Sequence, residues 1–413
     1  MKTLLIVADG MADRPIKELG WRTPLEVAQK NSMDFIAESG VCGIIDIVSP
    51  GVPPGSDTGN MALLGYDPYK YYTGRGALEA LGWGLEVKKD DVCFRCNFAT
   101  VDDNLIVLDR RAGRISNDDA SKLTDSLQKV KLSNSSVEFF FQNTIQHRAA
   151  LVLRGPKLSA SVSNSDPKKV GEKVLEVKPL DNTAEASFTA KIVNELLQKF
   201  HKVLKNHKVN HERIKQGLLP ANMILCRGAG NIPNLPTLSK IYNINATCIA
   251  VTSLIRGVCR VAGMQLINVE GATGTPQTDY LAKAKATVEA LKGNSDFVFL
   301  HVKAPDVASH DGDFQQKIKV IESIDSMIAY IIDHVDMNEI YIAMTADHTT
   351  SCLTRNHEGD PVPVAITGPF VRKDDIKKYD ERSCSKGGLG RIRGINLMPI
   401  LMNLIGKIEK FGA

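Results

Sequence analysis

Carboxylate and imidazole side chains recur in this sequence at spacings that suit divalent metal ions. Asp306 and His310 are four residues apart, so on a helix they project from one face toward a single ion. Asp347 and His348 follow an apolar run and can share an ion where that strand has become a loop. His357 follows nine residues later in a polar loop. Each pattern taken alone is also typical of a solvated surface.

A second chemical feature is a serine in the glycine- and proline-rich turn at residues 51–60. Ser56 precedes a helix that we expect to begin near Thr58 or Asn60. One interpretation is that Ser56 caps this helix. Another is that the helix N-terminus binds a phosphate through its backbone N–H groups while Ser56 attacks it. The two roles are compatible.

Together with an early aspartate, these side chains supply enough ligands for two divalent ions. The seven candidate ligands are Asp9, Ser56, Asp306, His310, Asp347, His348 and His357. Paired ions about 4 Å apart stabilise both the attacking and the leaving oxygen of an in-line phosphoryl displacement and favour an ionised serine. The predicted chemistry is therefore phosphoryl transfer to and from Ser56.

Such a site requires neighbouring strands whose carboxyl ends lie at the same edge of a sheet. Residues 4–8 form an apolar run without polar alternation, as in a strand buried on both faces of a parallel sheet. Similar runs recur at residues 222–226, 246–251, 297–302, 340–345 and 364–367. Most are separated by helix-length segments, which predicts a doubly wound, mostly parallel α/β domain. Five of the candidate acidic and imidazole ligands come after three of these runs, and ligands bind beyond the carboxyl ends of strands in open α/β sheets.

The pattern of apolar residues changes over residues 72–178, where it predicts a smaller inserted α+β domain. Alternating stretches at residues 92–100, 104–108, 137–141 and 149–153 are typical of antiparallel strands, with a helix-compatible stretch at 117–129. The catalytic domain would then comprise residues 1–71 and 179–413. The pattern at residues 185–205 predicts a helix that leads back into the sheet of the catalytic domain.

Composition excludes several classes of protein. The 51 basic and 47 acidic residues are spread along the chain without a dense basic tract, so we expect no nucleic-acid partner. The N-terminal apolar run is too short for a signal sequence or membrane span. We therefore expect a cytoplasmic protein whose eight cysteines are reduced thiols. The oligomeric state is left open, a homo-oligomer included.

The order of the seven candidate ligands resembles the metal core of the alkaline phosphatase superfamily. Longer phrases resemble the archaeal type of cofactor-independent phosphoglycerate mutase over nearly the whole chain. These phrases are GSDTGNMALLGYDP from Gly55, YTGRGALEALG from Tyr72, DRRAGRI from Asp109, RGAG from Arg227 and HVKAPD from His301.

The resemblance implies interconversion of 3-phosphoglycerate and 2-phosphoglycerate through phosphoserine at Ser56, without bisphosphoglycerate, in glycolysis and gluconeogenesis. It also implies which ligands hold which ion. One ion would be held by Asp306, His310 and His357, and the other by Asp9, Ser56, Asp347 and His348. Lys303 would lie near the phosphoryl group and hold Ser56 as an alkoxide, although a structural lysine at a strand end is the alternative. The ligand types suit manganese, zinc, cobalt, iron or magnesium.

The inserted domain would close over the substrate's carboxylate and hydroxyl groups, for which arginines making bidentate contacts are suited. The candidates are Arg110, Arg111, Arg114 and Arg148. Asp109 and His147 are candidate proton carriers between the two glycerate oxygens.

Two alternatives remain at this point. The same metal core suits a phosphatase or phosphotransferase acting on another small phosphorylated alcohol, because the inserted domain determines the substrate. A non-catalytic protein stabilised by the same ligands is the other alternative, but a closed structural site needs neither a serine oxygen nor a nearby lysine.

Overall fold

The chain forms two compact units. The computed structural model describes residues 1–410 and residue 412. Unit 1 comprises Met1–Tyr72 and Asn234–Ala413, and unit 2 comprises Thr73–Pro233. Unit 2 is therefore an insertion between two stretches of unit 1, and it ends at Pro233 rather than at the expected residue 178.

The first stretch of unit 1 contains β1 (Lys2–Ala8), a 3-10 turn (Lys17–Leu19), α1 (Pro24–Val27), α2 (Asn31–Glu38), β2 (Val41–Asp46), α3 (Ser56–Leu63) and α4 (Pro68–Tyr71). Unit 2 contains α5 (Arg75–Gly82), β3 (Val92–Val101), β4 (Val107–Asp109), α6 (Asn117–Leu127), β5 (Glu138–Asn143), β6 (Arg148–Arg154), α7 (Ala184–Lys205), α8 (Lys208–Lys215) and β7 (Met223–Gly230).

The chain then returns to unit 1. This second stretch contains α9 (Leu238–Tyr242), β8 (Ala246–Ile249), α10 (Ser253–Val261), β9 (Gln265–Ile267), α11 (Tyr280–Lys292), β10 (Phe297–Val302), α12 (Ala304–Asp311), α13 (Phe314–His334), β11 (Ile340–Thr345), β12 (Thr349–Ser351), β13 (Asn356–Glu358), β14 (Val362–Thr367), α14 (Glu381–Cys384), β15 (Gly390–Arg393) and α15 (Gly394–Leu404).

Unit 1 is built on an eight-stranded sheet in the order β15-β2-β14-β11-β1-β10-β8-β9. Strand β1 lies inside it, parallel to both β10 and β11, so that Leu5 faces Phe299 on one side and Ala343 on the other. The apolar side chains of β1 are buried because helices cover both faces of such a sheet. Only β14 runs antiparallel to its neighbours in this sheet. The predicted mostly parallel α/β fold is confirmed.

Unit 2 has a five-stranded antiparallel sheet around β3, which pairs with β4, β6 and β7. All ten residues of β3 are buried. One face packs against Ala77 and Ala80 of α5, and the other contributes Phe98 to a larger core containing Phe141 and Phe200. A central strand covered on both faces explains why hydrophobic residues are not confined to alternate positions here.

The predicted end of the insertion at residue 178 is wrong. Helix α7, predicted to lead back to the main sheet, instead packs in unit 2, where Phe200 contacts Phe141 with ring centroids 5.2 Å apart. The run at residues 222–226 lies in β7 and pairs with β3 rather than with the main sheet. Strand and helix patterns identify an element's type, but they do not identify the distant element with which it pairs.

Two expectations about the environment can be compared with the structure. All eight cysteines are free and buried, as expected for reduced thiols. Among residues 1–410 and 412, none of the helices combines the length and apolar character needed to cross a lipid bilayer.

Candidate active site

The candidate ligands lie at the carboxyl ends of three neighbouring strands of unit 1. Asp9 directly follows β1, and Asp347 follows β11 after one residue. Asp306 is in the first turn of α12, which begins two residues after β10 ends. Because β11, β1 and β10 are adjacent and parallel, their ends bring these three carboxylates together.

Ser56 is the first residue of α3, with Gly55 as the N-cap, so the helix begins earlier than the predicted Thr58 or Asn60. The capping interaction is made by Thr58, whose Oγ1 accepts a hydrogen bond from the Gly55 N–H. The Ser56 hydroxyl is therefore not used as the helix cap. Its Oγ lies 3.2 Å from His348 Nε2, and the side chain is buried at a helix N-terminus where backbone N–H groups favour anions.

One group of ligands is formed by Asp306, His310 and His357. The Nε2 atoms of the two histidines are 3.3 Å apart, and each lies 3.3 Å from Asp306 Oδ1. His310 Nδ1 is 2.7 Å from the carbonyl of Arg355, and His357 Nδ1 is 2.7 Å from that of Pro54. A carbonyl only accepts, so both Nδ1 atoms carry a proton, and in a neutral ring this leaves the Nε2 lone pair facing Asp306.

A second group surrounds Ser56. His348 Nε2 lies 3.3 Å from Asp9 Oδ1 and 3.6 Å from Asp347 Oδ1. Asn60 donates to Asp347 Oδ2 at 2.7 Å, which fixes the orientation of that carboxylate. Asp9, Asp347 and His348 are completely buried. The structure thus brings all seven predicted ligands into one site within unit 1.

Lys303 provides the permanent positive charge in this site. Its Nζ donates to both Asp9 oxygens at 3.0 Å, lies 2.6 Å from Asp306 Oδ2 and is 3.4 Å from Ser56 Oγ. Burial alone would lower the pKa of Lys303, but the charges of Asp9 and Asp306 raise it above its ordinary value. Lys303 is therefore an ammonium ion beside Ser56.

The electrostatic balance of the site fits divalent cations. Burial, followed by the charge of Asp9, raises the pKa of Asp347 well above its ordinary value. Three buried carboxylates, from Asp9, Asp306 and Asp347, converge around the single ammonium group of Lys303. Oxygen and imidazole nitrogen atoms at these separations are the donor set that manganese, zinc and cobalt accept. Two sets of three residues have ligand atoms close enough together to hold an ion, Asp306 with His348 and His357, and Asp9 with Asp347 and His348, so His348 belongs to both sets.

His301 is an inner neighbour that sequence reasoning did not single out. It is fully buried on β10, and its Nε2 lies 3.1 Å from Asp9 Oδ2. Burial lowers its pKa, so the ring is neutral. The available signal was its position in the HVKAPD phrase, which also contains Lys303 and Asp306.

Unit 2 contains a separate cationic pocket of about 260 Å³. It is lined by Arg95, Asn97, Arg110, Arg111, Arg114, Gln146, His147, Arg148 and Arg227. Six guanidinium groups around one cavity predict an anionic ligand.

The pocket includes most, but not all, of the residues predicted in the inserted domain. The four predicted arginines and His147 line it. Asp109 does not: its Oδ1 accepts from the N–H groups of Arg111 and Gly113 and holds their turn. Sequence reasoning missed Arg95 and Arg227. Arg95 lies on the central strand β3, in a Cys-Phe-Arg-Cys segment interpreted only as strand alternation, and Arg227 begins the RGAG phrase.

Two of the six arginines are neutralised within unit 2. Arg110 makes two hydrogen bonds to Asp166, at 3.0 and 2.7 Å, and Arg95 lies 3.2 Å from Glu79. Arg227 is weakly paired, with its Nε 3.7 Å from Asp166. The remaining three have no carboxylate partner within the described part of the chain. They are Arg111, Arg114 and Arg148.

The positive charge of the pocket also affects His147. Burial, and then the charges of surrounding arginines, lower the pKa of His147 to about 4. Its Nδ1 is buried and has no hydrogen-bond partner. At neutral pH His147 is therefore an uncharged imidazole, which can accept a proton but has none to spare as an acid.

Comparisons with known proteins address the resemblance directly. A family model described as 2,3-bisphosphoglycerate-independent phosphoglycerate mutase matches residues 37–210. The 2,3-bisphosphoglycerate-independent phosphoglycerate mutase 1 of Methanocaldococcus jannaschii is 48% identical over 412 residues, covering 100% of this chain and 99% of the relative. The chain belongs to this family. A second member, from Methanococcus maripaludis strain C5, is 48% identical over 413 residues and is covered completely.

Solved structures agree with this membership. A protein from Pyrococcus horikoshii has a TM-score of 0.88 and 40% identity, covering 100% of this chain and 99% of the other. The cofactor-independent phosphoglycerate mutase from Thermoplasma acidophilum has a TM-score of 0.71 and 35% identity, covering 98% of this chain and 100% of the other. The resemblance inferred from the motifs is confirmed, and the phosphoglycerate mutase family has the fold described above.

Proposed function

We propose that this member of the phosphoglycerate mutase family interconverts 3-phosphoglycerate and 2-phosphoglycerate through a phosphoserine at Ser56, in glycolysis and gluconeogenesis in the cytoplasm. The observation that carries the proposal is the position of the Ser56 hydroxyl. It lies at a helix N-terminus, 3.2 Å from His348 Nε2 and 3.4 Å from Lys303 Nζ, and is not used as the helix cap. A serine in this environment is suited to attack a phosphate.

Two divalent ions are part of the proposal. Asp306, His310 and His357 would hold one ion, and Asp9, Ser56, Asp347 and His348 the other. When bound, such ions neutralise the phosphate and favour the ionised form of the serine. Their identity among manganese, zinc, cobalt, iron and magnesium is for metal analysis to determine.

Ser56 acts as the nucleophile in the first half of the reaction. The bond from its Oγ to phosphorus forms while the bond between phosphorus and the substrate oxygen breaks, and the serine proton passes to the departing oxygen. Lys303 lies close enough to stabilise negative charge on Ser56 Oγ. In the second half, the other hydroxyl of the same glycerate takes the phosphoryl group back, and Ser56 regains its proton.

The cationic pocket of unit 2 is proposed to bind the substrate's carboxylate. Arg111, Arg114 and Arg148 are the strongest candidates because their guanidinium groups lack an internal carboxylate partner in the described structure. Arg110 is a weaker candidate because its bidentate pair with Asp166 already neutralises its charge. Neutral His147 remains a candidate proton acceptor, and the proton-carrier role of Asp109 stays a prediction without support from its contacts.

A mutase must keep water from the phosphoserine, because hydrolysis would turn it into a phosphatase. The experiment therefore measures both products from 3-phosphoglycerate, 2-phosphoglycerate through coupling to enolase and inorganic phosphate directly. We expect 2-phosphoglycerate to dominate. Predominant release of phosphate would instead favour the metal-dependent phosphatase or phosphotransferase.

Substitution of the nucleophile is the second part of the test. Ser56→Ala should abolish turnover and phosphoserine labelling while retaining most of the bound metal, because the carboxylates and imidazoles remain. Ser326→Ala is the matched control, since Ser326 is exposed on α13 and donates only to the carbonyl of Glu322. A Ser56→Ala protein with near wild-type turnover would exclude Ser56 as the nucleophile.

A further inference from the structure

Thr350 connects the two groups of candidate ligands through one buried hydroxyl. Its Oγ1 lies 2.9 Å from Asp306 Oδ1 in the first group and 2.9 Å from His348 Nδ1 in the second. Thr350 and His348 are fully buried, and Asp306 is nearly so. The two contacts are therefore made without competing water.

The hydrogen-bond directions follow from the chemistry of the three groups. An ionised carboxylate only accepts, so the single Thr350 proton is donated to Asp306. The Thr350 oxygen must then accept from His348, which places the imidazole proton on Nδ1. In a neutral imidazole this leaves Nε2 unprotonated. That atom faces Ser56 Oγ at 3.2 Å and Asp9 Oδ1 at 3.3 Å.

The surrounding backbone holds Thr350 in place. Its N–H donates to the Ala12 carbonyl at 3.1 Å, and its carbonyl accepts from the buried Lys317 ammonium at 2.9 Å. Thr350 on β12 is paired with His357 on the neighbouring antiparallel strand β13. A Cβ added at Gly10 would lie 2.4 Å from Thr350 Oγ1, so the chain closes tightly over the hydroxyl and uses a left-handed glycine to do so, with φ of +63°.

We propose that Thr350 is a positioning residue that sets the His348 tautomer and the Asp306 orientation together, and so strengthens metal binding at both sites. This inference rests on the ligand set proposed above. Outer hydrogen bonds to ligating histidines and carboxylates fix ring orientation and raise ligand basicity. Here one hydroxyl serves a ligand of each site, so its loss should weaken binding at both.

The test compares variants that differ by one hydroxyl or one methyl group. Thr350→Val keeps the shape and removes both hydrogen bonds, whereas Thr350→Ser keeps the hydroxyl. Thr349→Val is the matched control: Thr349 is the adjacent buried residue on β12, but its hydroxyl donates to the Asp360 carbonyl at 3.2 Å. Metal-free proteins are titrated with Mn²⁺, and free Mn²⁺ is followed by electron paramagnetic resonance.

We expect Thr350→Val to bind both Mn²⁺ ions about 10- to 100-fold more weakly, the range found when such outer partners are removed. Thr350→Ser and Thr349→Val should bind close to the wild type. Wild-type affinity in Thr350→Val would overturn the proposal, as would an equal loss in Thr349→Val, which would indicate general packing damage.

A second measurement depends neither on metal binding nor on whether the protein folds with valine at position 350. Nitrogen-15 NMR of the metal-free wild-type protein should show His348 protonated on Nδ1, and protonation on Nε2 would also overturn the proposal. The assays separate this inference from the proposed function. A wild type that binds Mn²⁺ normally but forms no 2-phosphoglycerate would reject the mutase reaction while the Thr350 comparison still stands.

Discussion

Replacing Lys303 by methionine removes the ammonium group beside Ser56, the proposed nucleophile, while keeping a side chain of similar length. The Nζ atom lies 3.4 Å from Ser56 Oγ and contacts the carboxylates of Asp9 and Asp306. Lys303 is charged throughout the neutral range because burial lowers its pKa less than the two carboxylates raise it. Methionine therefore deletes one full positive charge from the position where negative charge develops.

The size of the effect follows from the distance. Two unit charges 3.4 Å apart interact by about 5 kcal/mol at an effective dielectric constant of 20. This is an upper value because the Lys303 side chain is 19% exposed and solvent screens part of the field. Loss of one electrostatic donor in other active sites costs about 3–4 kcal/mol. We therefore expect kcat to fall by about 10²- to 10³-fold.

The affinity for metal ions should not fall together with kcat. The ammonium group now neutralises carboxylates that are proposed to hold both ions. Without it, Asp9 and Asp306 present more negative charge, so Mn²⁺ should bind as tightly as in the wild type or more tightly. A loss of turnover with retained metal is the signature of a charge acting on the nucleophile.

The assay measures kcat by enolase coupling and Mn²⁺ affinity on the same preparations. Lys285→Met is the control, because Lys285 is exposed on α11 and the chemical change is identical. A kcat close to the wild-type value would refute the reasoning. So would lost activity that excess Mn²⁺ restores, since Lys303 would then act only through the metal sites.

Two further predictions concern buried charge elsewhere. Lys317→Met should lower the free energy of unfolding of the metal-free protein by about 3–5 kcal/mol, because fully buried Lys317 donates to equally buried Asp13, which would be left unpaired. Urea denaturation beside exposed Lys319→Met checks this, and equal midpoints would contradict it. His147 has a pKa of about 4 when folded against an ordinary 6.5, so the unfolded chain binds the extra proton and stability falls as the pH drops from 6.5 to 4. His147→Gln should reduce that loss, and a pH–stability profile identical to the wild type would argue against it.

Much of the candidate metal site was predictable because its signals are local. The four-residue spacing of Asp306 and His310 follows from helix periodicity, and α12 carries both as expected. Asp9 and Asp347 follow apolar runs, and parallel strands in one sheet end at the same edge. These inferences require only the sequence within a few residues of each ligand, together with the rule that parallel strands end at the same edge of a sheet.

The pocket of unit 2 was only partly predictable. Arg110, Arg111 and Arg114 cluster along the chain and were therefore visible in the sequence. Arg95 and Arg227 reach the same cavity from β3 and β7, which pair with each other in the structure. A lone arginine within a strand carries no sign of which distant strand lies beside it.

By itself, the amino-acid sequence determined the residue types, the local elements and the order of the candidate ligands. Only the tertiary structure decided that α7 and β7 belong to the inserted unit, and that one threonine hydroxyl touches a ligand of each metal group. The physical reason is the separation along the chain over which each interaction acts. Hydrogen bonding and side-chain periodicity within an element act over a few residues, whereas strand pairing and core packing join residues such as Asp306 and Thr350 that are distant along the chain.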